Sequence, residues 1–300
     1  MTLVSIVIPT RNRRRMLSET VACVMKQHGA DWELIIVDDA STDDTSAFLA
    51  AITDTRIRST RHDAMRKVSA ARNTGLAMAR GDHVMFLDDD DLLRPNAVQT
   101  LSASLVAHPD ACAASAACRL YHEDGDSSCV YRPAKTYSRN IWRELLFGWW
   151  SNSGQNIYRT AVVRAIGGFD TDLHVAEDRW LWLELSKRGN VCVLPAVTME
   201  YRQHDGQITK VRDYETERQI IWNRYIASLP TSRQREARRI RRAATLVNGA
   251  ESARQARRFW LATRLHVAAI LVAPRLLVSP LVGRPMYWNV KKCLQRRARP

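Results

Sequence analysis

Three short apolar runs, separated by helix-like segments, constrain the fold of this chain more than any other feature. They read VSIVI at 4–8, ELIIVDD at 33–39 and HVMFLDD at 83–89. Each run is continuously apolar rather than alternating, which is typical of strands buried on both faces of a parallel sheet. Shorter strands are expected near 57–60 and at 191–194.

The segments between and after these runs have the spacing of helices. Helices are predicted at 16–27, 69–79, 95–106, 139–148, 160–166 and 177–188. Ser41 and Thr42 are expected to cap a further helix that runs through Leu49, and Pro95 is expected in the first turn of its helix. Strands joined through helices make right-handed crossovers. The sequence therefore predicts an α/β fold with a mainly parallel central sheet flanked by helices.

Polar residues follow the three apolar runs directly. The strand ends read Pro9-Thr10-Arg11, Asp38-Asp39 and Asp88-Asp89-Asp90-Asp91. Because ligands of open α/β sheets bind outside the carboxyl ends of the strands, these groups should converge at one rim. Four successive carboxylates repel one another unless cations or donors share the site. The run predicts either a hard-cation site, in which Asp88 and Asp90 reach one ion, or a solvated acidic turn before Pro95.

Five motifs in order resemble the family 2 glycosyltransferases. They are VSIVIPTRNR, ELIIVDDAST, SAARNTGLAMARGDHVMFLDDDDLL, GGFD at 167–170 and EDRWLWLEL at 177–185. The resemblance covers roughly residues 3–205. It implies the Rossmann-like nucleotide-diphospho-sugar transferase fold, also called glycosyltransferase A-type. It also implies a catalytic domain over 1–210, with a nucleotide-sugar half at 1–106 and an acceptor and catalytic-base half at 107–210.

The resemblance assigns the nucleotide to the first half of the chain. Asp39 would accept a hydrogen bond from the nucleobase in a pocket lined by Pro9 and Thr10, and Arg72 would face the nucleotide or its diphosphate. Arg11 stands where similar enzymes often place an aromatic residue that stacks on the base. A guanidinium group can also stack on a ring. A UDP-sugar is therefore the expected donor, with thymine and guanine nucleotides left open.

The resemblance also implies a metal cofactor, Mn²⁺ or Mg²⁺. Asp88 and Asp90 match the DxD metal motif, and Asp89 would lie near the ribose. Asp91 is expected to support the others. His204 resembles a late histidine that can approach the metal or the diphosphate.

The second half carries the residues that the resemblance assigns to the acceptor side. Glu177 and Asp178 match the ED motif of the family, in which the aspartate is the catalytic base. The helix dipole also favours an acidic first turn without any catalytic role, and that alternative stays open. Trp150, Asn152 and Glu177 are candidate acceptor contacts. One base and one in-line displacement imply inversion of the anomeric configuration.

The charge of the chain is concentrated in its last third. Residues 211–300 contain 20 Lys and Arg against 5 Asp and Glu, whereas residues 1–210 contain 25 against 26. A nearly neutral body with a strongly basic tail indicates an appendage with a partner of its own. The sequence predicts a basic amphipathic helical tail over 211–300.

The tail is predicted to lie on a membrane surface. Its helices are expected at 233–242 and 252–266, and they lead into an apolar segment at 265–282. Pro274 and Arg275 divide that segment, which leaves it short of the ~20 apolar residues that a spanning helix needs. Arginine-rich flanks with aromatic residues suit an interfacial helix on anionic lipid. The alternative is a helix pair packed on the catalytic domain, with solvated arginines.

The cysteines, the start of the chain and the basic tail predict where the protein is located in the cell. The six cysteines are scattered without a CxxC pair, and the chain begins almost directly on its first strand. Both features favour a reducing cytosol, and the tail favours a peripheral position on the cytoplasmic face of the membrane. The expected acceptor is a saccharide or a lipid-linked saccharide.

Two other classes of function are alternatives to sugar transfer. A nucleic-acid-binding protein is suggested by the basic stretch RQREARRIRR, but the basic residues avoid the acidic rim, so no nucleic-acid partner is expected. A metal-dependent phosphohydrolase would also use an aspartate cluster. It would release its product without any acceptor.

Overall fold

The computed structural model describes residues 2–122, 127–129, 135–148, 151–204 and 214–273. The chain forms two compact units. The first unit comprises Met1–Asn140 and Ser151–Glu217, and the second comprises Ile141–Trp150 and Arg218–Pro300. The boundary expected at residue 210 stays a prediction, because residues 205–213 lie outside the described part of the chain.

The first unit is built on the parallel strands that the apolar runs predicted and on the shorter strand expected near 57–60. They are β1 (Val4–Thr10), β2 (Trp32–Asp38), β3 (Ile57–Arg61) and β4 (His83–Phe86). Their order in the sheet is β3-β2-β1-β4, and all three contacts are parallel. Every residue of β1 and β2 is buried, which explains why apolar residues dominate these runs. The chain turns to opposite sides of β1 to reach β2 and β4, and this places a topological switch point at the end of β1.

Helices connect these strands, with two boundaries that differ from the prediction. They are α1 (Arg14–Met25), α2 (Thr45–Ala50), α3 (Lys67–Met78) and α4 (Ala97–Ala107). Ser41 and Thr42 do not cap α2, since Ser41 Oγ accepts the Asn12 N–H at 3.0 Å and Thr42 N–H donates to Asn12 Oδ1 at 2.6 Å. Pro95 precedes the first turn of α4, because Asn96 adopts a left-handed conformation with φ 61°.

The second half of the sheet mixes strand directions. Its strands are β5 (Leu92–Leu93), β6 (Ala111–His122), β7 (Ser127–Cys129), β8 (Tyr137–Arg139), β9 (Asn156–Arg159) and β10 (Asn190–Gln203). The order continues β4-β9-β6-β10-β5, in which β6 and β10 are parallel while β9 and β5 run antiparallel to their neighbours. The predicted α/β sheet is thus confirmed, with antiparallel contacts that the sequence did not indicate. The strand predicted at 191–194 extends to 203.

The core of the first unit lies between the sheet and the helices α1 and α4. It contains Val4, Ile6, Ile8, Leu17, Val21, Val24, Leu34, Ile36, Met85, Val98, Leu101 and Leu105. Each side chain of this size contributes roughly 1.5–3 kcal/mol when it is fully buried. On the other face α3 lies very close to β1, since a Cβ on Gly75 would stand 2.3 Å from Val7 Cγ1. This close approach fixes α3, which carries Arg72.

The described part of the second unit consists of helices. They are α5 (Trp142–Phe147), the part of α8 (Tyr214–Ser228) from Arg218 onward, α9 (Thr231–Gln255) and α10 (Phe259–Val272). The helix predicted at 233–242 is longer than expected, and the one predicted at 252–266 is interrupted at Arg257, which has φ 58°. The apolar segment 265–282 extends past residue 273 and so lies partly outside the described residues. In the described part of the chain, no helix is long and apolar enough to cross a membrane.

Candidate active site

The acidic run lies in the loop between β4 and β5. The strand predicted to reach residue 89 ends at Phe86, so all four aspartates belong to this loop. Thr10, the last residue of β1, donates from Oγ1 to Asp89 Oδ2 at 2.7 Å. Thr20 of α1 donates from Oγ1 to the carbonyl oxygens of Asp89 and Asp91, both at 3.0 Å. These bonds hold the loop against the end of β1, where the strand ends were predicted to converge.

Arg13 neutralises Asp89 and Asp90 in the acidic run. Arg13 Nη1 lies 3.0 Å from Asp89 Oδ1 and 2.6 Å from Asp90 Oδ2. Asp90 Oδ2 also lies 2.9 Å from His204 Nε2, so the structure brings this predicted pair together. Burial raises the pKa of Asp89 to about 7 against the opposing attraction of Arg13, and Asp90 raises it further. The positive charge of Arg13 thus offsets the negative charges of these buried carboxylates.

Asp91 supports the loop, as predicted. Its Oδ1 accepts the backbone N–H of Arg202 at 3.1 Å, and Arg202 Nε donates to the carbonyl oxygen of Asp90 at 2.9 Å. Burial raises the pKa of Asp91 well above its ordinary value, and the neighbouring carboxylates of Asp90 and Asp88 add to the effect. β10, which carries Arg202, therefore fixes the backbone of the run.

Arg72 joins the two halves of the site. Its side chain is 3% exposed on α3. Nη2 lies 2.6 Å from Asp88 Oδ1 and 3.1 Å from Ser153 Oγ, and Nη1 lies 2.9 Å from Glu177 Oε1. Burial alone would lower the pKa of Arg72, but Asp88 and Glu177 raise it above its ordinary value. A single guanidinium group thus connects the predicted metal motif with the predicted ED motif, 89 residues apart along the chain.

Asp178 lies in the first turn of α7 (Glu177–Leu185), the helix that follows α6 (Thr160–Ile166). Its Oδ1 accepts the Arg179 N–H at 2.6 Å. The helix is anchored by buried side chains, among them Trp182, whose ring centroid lies 5.6 Å from that of Tyr158. Burial raises the pKa of Asp178 to about 7, and the charge of Glu177 raises it further while Arg179 and Arg72 oppose both. A carboxyl with a pKa near neutrality is suited to general-base chemistry.

Asp39 organises the loop that precedes α3. Its Oδ1 accepts the Arg66 N–H at 2.7 Å and lies 2.8 Å from His62 Nδ1, and its Oδ2 accepts the Lys67 N–H at 2.8 Å. Arg11 is exposed, and its Nη1 lies 2.7 Å from the Met65 sulfur of the same loop. The nucleobase contact of Asp39 stays a prediction, as does stacking by Arg11. Pro9 is buried within β1.

The candidate acceptor residues differ in their burial and contacts. Asn152 is half-buried and precedes a short 3₁₀ turn over Ser153–Gln155, where its N–H donates to Gln155 Oε1 at 3.2 Å. Glu177 is 8% exposed and faces Arg72. Trp150 lies outside the described residues. Of the polar residues near 152, the structure brings Ser153 to Arg72.

The donor atoms suit a hard divalent cation, but they do not form a ready cage. Carboxylate oxygens of Asp88 and Asp90 and the imidazole of His204 are ligands that Mn²⁺ accepts. In the described part of the chain, no three His, Cys, Asp or Glu side chains are placed to hold a metal together. Asp88 instead pairs with Arg72 and Asp90 with Arg13. A metal would therefore compete with these guanidinium groups for the same oxygens.

Several residues of the site were not found from the sequence. Arg13 follows Thr10, the last residue of β1, by three positions, and only its place in PTRNR could have pointed to it. His62 supports Asp39 and lies 2.9 Å from Thr74 Oγ1 through its other nitrogen. Arg202 precedes the predicted His204 by two residues, but its role depends on pairing between β10 and β5, which no local pattern indicates.

Comparisons with known proteins agree with this architecture. WfgD of Escherichia coli, a UDP-Glc:alpha-D-GlcNAc-diphosphoundecaprenol beta-1,3-glucosyltransferase, is 26% identical over 221 residues, which cover 72% of this chain and 83% of WfgD. An uncharacterized protein of Mycobacterium tuberculosis (strain CDC 1551 / Oshkosh) is 28% identical over 233 residues, 73% of this chain and 72% of that protein. The succinoglycan biosynthesis protein ExoO of Rhizobium meliloti (strain 1021) is 35% identical over 98 residues, 33% of this chain and 28% of ExoO.

A solved structure shares the fold of this chain, and a family model matches its sequence. The crystal structure of S. aureus TarS in complex with UDP-GlcNAc matches with a TM-score of 0.67 at 18% identity, over 82% of this chain and 72% of that one. This likeness concerns the fold, which is the predicted glycosyltransferase A-type fold. The family model described as Glycosyl transferase family 2 matches residues 5–164, more than half of the 300 residues. The chain therefore belongs to glycosyl transferase family 2.

Proposed function

We propose that the chain is an inverting, metal-dependent glycosyltransferase that moves a sugar from a UDP-sugar to a hydroxyl group of a saccharide or lipid-linked acceptor. The observation that carries this proposal is the bridge made by Arg72. It holds Asp88 of the acidic run and Glu177 of the ED pair on one buried guanidinium group, next to Asp178 with its pKa near 7. Donor-binding and proton-accepting groups are thereby gathered around one point.

Asp178 is the base of the proposed reaction. It takes the proton of the acceptor hydroxyl as that oxygen bonds to the anomeric carbon, while the bond from this carbon to the diphosphate oxygen breaks and its electron pair leaves with the nucleotide. The fixed charges of Arg72 and Arg13 at the acidic rim stabilise negative charge near the leaving group. One displacement inverts the configuration at the anomeric carbon.

The Arg72–Glu177 pair has unused hydrogen-bonding capacity. Among the described residues, Arg72 Nε and Glu177 Oε2 are buried without a hydrogen-bond partner. A buried polar atom without a partner costs about 1–3 kcal/mol. An ordered water held between this pair and a bound sugar would recover that energy, which supports a polar ligand.

A divalent cation would be held by Asp88 and Asp90, with His204 beside Asp90. When bound, Mn²⁺ or Mg²⁺ neutralises charge on the diphosphate. We expect Asp90→Asn to weaken Mn²⁺ binding about tenfold or more, measured by calorimetry without donor, because a neutral amide replaces a charged ligand. Asp172→Asn, an exposed aspartate of the same unit, is the matched control. Equal binding by both variants would remove Asp90 from the metal site.

The donor and the pathway are proposed from relatives. The name of WfgD gives UDP-glucose as donor and a lipid-linked diphosphosaccharide as acceptor, TarS was crystallised with UDP-GlcNAc, and ExoO is named for polysaccharide synthesis. These names support a UDP-sugar, a lipid-linked acceptor and a role in polysaccharide synthesis for this chain. Such an acceptor would require the enzyme to work at a membrane surface, where we place it on the cytoplasmic face.

The second unit supports contact with a membrane. Phe259 and Trp260 are 64% and 73% exposed, and Leu271, on the same face of α10 as Trp260, is 74% exposed. The exposed side chains of Arg257 and Arg258 lead directly into this helix. Exposed aromatic and aliphatic groups beside arginines suit the headgroup region of anionic lipid.

Vesicle sedimentation tests the membrane proposal. The chain should sediment with phosphatidylglycerol vesicles and remain in solution with phosphatidylcholine vesicles. Replacing Trp260 and Leu271 together by Ser should weaken sedimentation about tenfold or more, since each loses its buried apolar area. Val106→Ser is the matched control, because Val106 is 58% exposed on α4 of the first unit. Equal sedimentation with both lipids would refute the membrane contact.

Nucleotide release tests the proposed reaction. The purified chain is incubated with UDP-, GDP- and dTDP-sugars, with and without Mn²⁺, and with a polyprenyl-diphosphate-linked GlcNAc as acceptor. UDP should be released only when a UDP-sugar, the metal and the acceptor are all present. Release of UMP and sugar 1-phosphate at the same rate with and without acceptor would identify a phosphohydrolase instead. Preference for a GDP- or dTDP-sugar would refute the uracil assignment.

A further inference from the structure

The segment before the base helix is held by a residue far along the chain. Glu217, on α8, accepts three consecutive backbone N–H groups. His174 N lies 3.0 Å from each carboxylate oxygen, Val175 N lies 2.9 Å from Oε2, and Ala176 N lies 3.2 Å from the same oxygen. Three amides that converge on one carboxylate make a strong, directional anchor.

This anchor ends at the residue where the helix begins. Ala176 is the N-cap residue of α7 and the last of the three residues whose amides Glu217 accepts. The carbonyl oxygen of Ala176 accepts the Trp180 N–H at 3.0 Å and so begins the helix. Ala176 is therefore fixed on both sides, through its N–H by Glu217 and through its carbonyl by α7. Asp178 follows two residues later.

The same segment is also tied to the nucleotide side of the site. Lys67 Nζ lies 2.9 Å from His174 Nε2. The backbone of Lys67 is held by Asp39 and has φ 70°, a left-handed conformation that a residue with a side chain adopts only at a cost. His174 is thus fixed from the Asp39 loop on one side and from Glu217 on the other. The start of α7 cannot shift without breaking one of these contacts.

We propose that Glu217 is a positioning residue for the catalytic base, because its carboxylate gathers the amides of His174, Val175 and Ala176 and so sets where α7 presents Asp178. The proposal rests on the role of Asp178 in the proposed function. Glu217 does not touch the reacting atoms. It acts through the backbone of Ala176, which precedes Asp178 by two residues.

The test compares Glu217→Gln, Glu217→Asp and the control Glu215→Gln. A glutamine turns one acceptor oxygen into a donor that faces the three amides, whereas an aspartate keeps the charge on a shorter stem. Glu215 is an exposed acidic residue in the first turn of the same helix. We expect Glu217→Gln to lower kcat about ten- to a hundredfold with the KM of the UDP-sugar within about twofold, since misplacement of the base affects the chemical step. Glu217→Asp should recover part of the loss, and the control should equal wild type.

Hydrogen–deuterium exchange gives a readout that does not depend on turnover. The amides of His174, Val175 and Ala176 should exchange about tenfold faster in Glu217→Gln, because charge-assisted bonds protect them in the wild type. The acidic limb of the kcat–pH profile should also move to lower pH, because water reaches Asp178 more easily and its pKa falls. Unchanged exchange at these amides would overturn the proposal even in an active enzyme.

The outcomes separate this proposal from the proposed function. If the wild type shows no sugar transfer but Glu217→Gln speeds exchange at 174–176, the proposed function fails while the anchor stands. If transfer occurs and Glu217→Gln keeps the wild-type kcat, the positioning role is wrong and the proposed function stands. A change confined to the KM of the UDP-sugar would also overturn the positioning role.

Discussion

Asp178→Asn should abolish transfer and at the same time stabilise the protein at alkaline pH. Burial raises the pKa of Asp178 from an ordinary 3.8 to about 7 in the folded chain. The folded state therefore binds this proton more tightly than the unfolded state does. The wild type loses stability as the pH rises from the unfolded value through about 7, and the loss is complete above that pH. Asparagine resembles the neutral acid and avoids this cost.

The magnitude follows from the shift. A difference of roughly 3 pKa units, at about 1.4 kcal/mol each, sets an upper limit of about 4 kcal/mol above pH 7. Of this limit, at most about 3 kcal/mol of the stability difference between variant and wild type arises between pH 5 and pH 7. Because Asp178 is half-buried rather than fully enclosed, we expect the stability gain of Asp178→Asn to grow by about 2 kcal/mol between pH 5 and pH 8.5.

Urea denaturation of wild type and variant at both pH values measures this difference. Asp172→Asn, at an exposed position of the same unit, should show no pH-dependent gain. The catalytic half of the prediction is a loss of transfer of about 10³-fold or more, with UDP-sugar binding unchanged by calorimetry. An equal effect of Asp178→Asn on stability at pH 5 and pH 8.5 would refute the reasoning, because Asp178 would then not be a carboxyl held near neutrality.

Two further substitutions test the architecture of the site. Arg72→Lys removes the fork that joins Asp88 and Glu177, so it should lower the free energy of unfolding by about 3 kcal/mol and transfer by about a hundredfold. Wild-type transfer by Arg72→Lys would show that the bridge is dispensable. Gly75→Ala places a Cβ 2.3 Å from Val7 Cγ1 and should cost about 1–3 kcal/mol in urea denaturation, whereas Ala77→Ser, exposed on the same helix, should cost less than about 0.5 kcal/mol. Equal costs for the two would contradict the close contact of α3 with β1.

Strands β1 and β2 follow from the sequence because apolar residues dominate them. β1 and β2 are buried along their whole length, so their composition alone distinguishes them from helices. β6 was not predicted, because its sequence ACAASAACRLYH consists mainly of small residues with low strand propensity. These small residues are buried between β9 and β10, so neighbouring strands decide the conformation there.

The sequence indicated which residue types form the candidate site, but not which side chains pair with one another. Carboxylates at strand ends indicated the acidic rim, and the ED pair indicated Asp178. The sequence contains no sign that Arg72 bridges Asp88 and Glu177, or that Arg13 neutralises Asp90, because the direction of a charged side chain depends on tertiary packing. Glu217 lies 39 residues after Asp178 and is joined to its helix only in three dimensions.

The configuration of the new glycosidic bond shows whether the sugar is transferred in a single displacement. The product made from an α-linked UDP-sugar and the lipid-linked acceptor is released from the lipid, and the coupling at its anomeric proton is measured by NMR. A single displacement assisted by Asp178 predicts a β-linked product. An α-linked product would contradict the account, because it requires either two displacements or attack from the face that the nucleotide leaves.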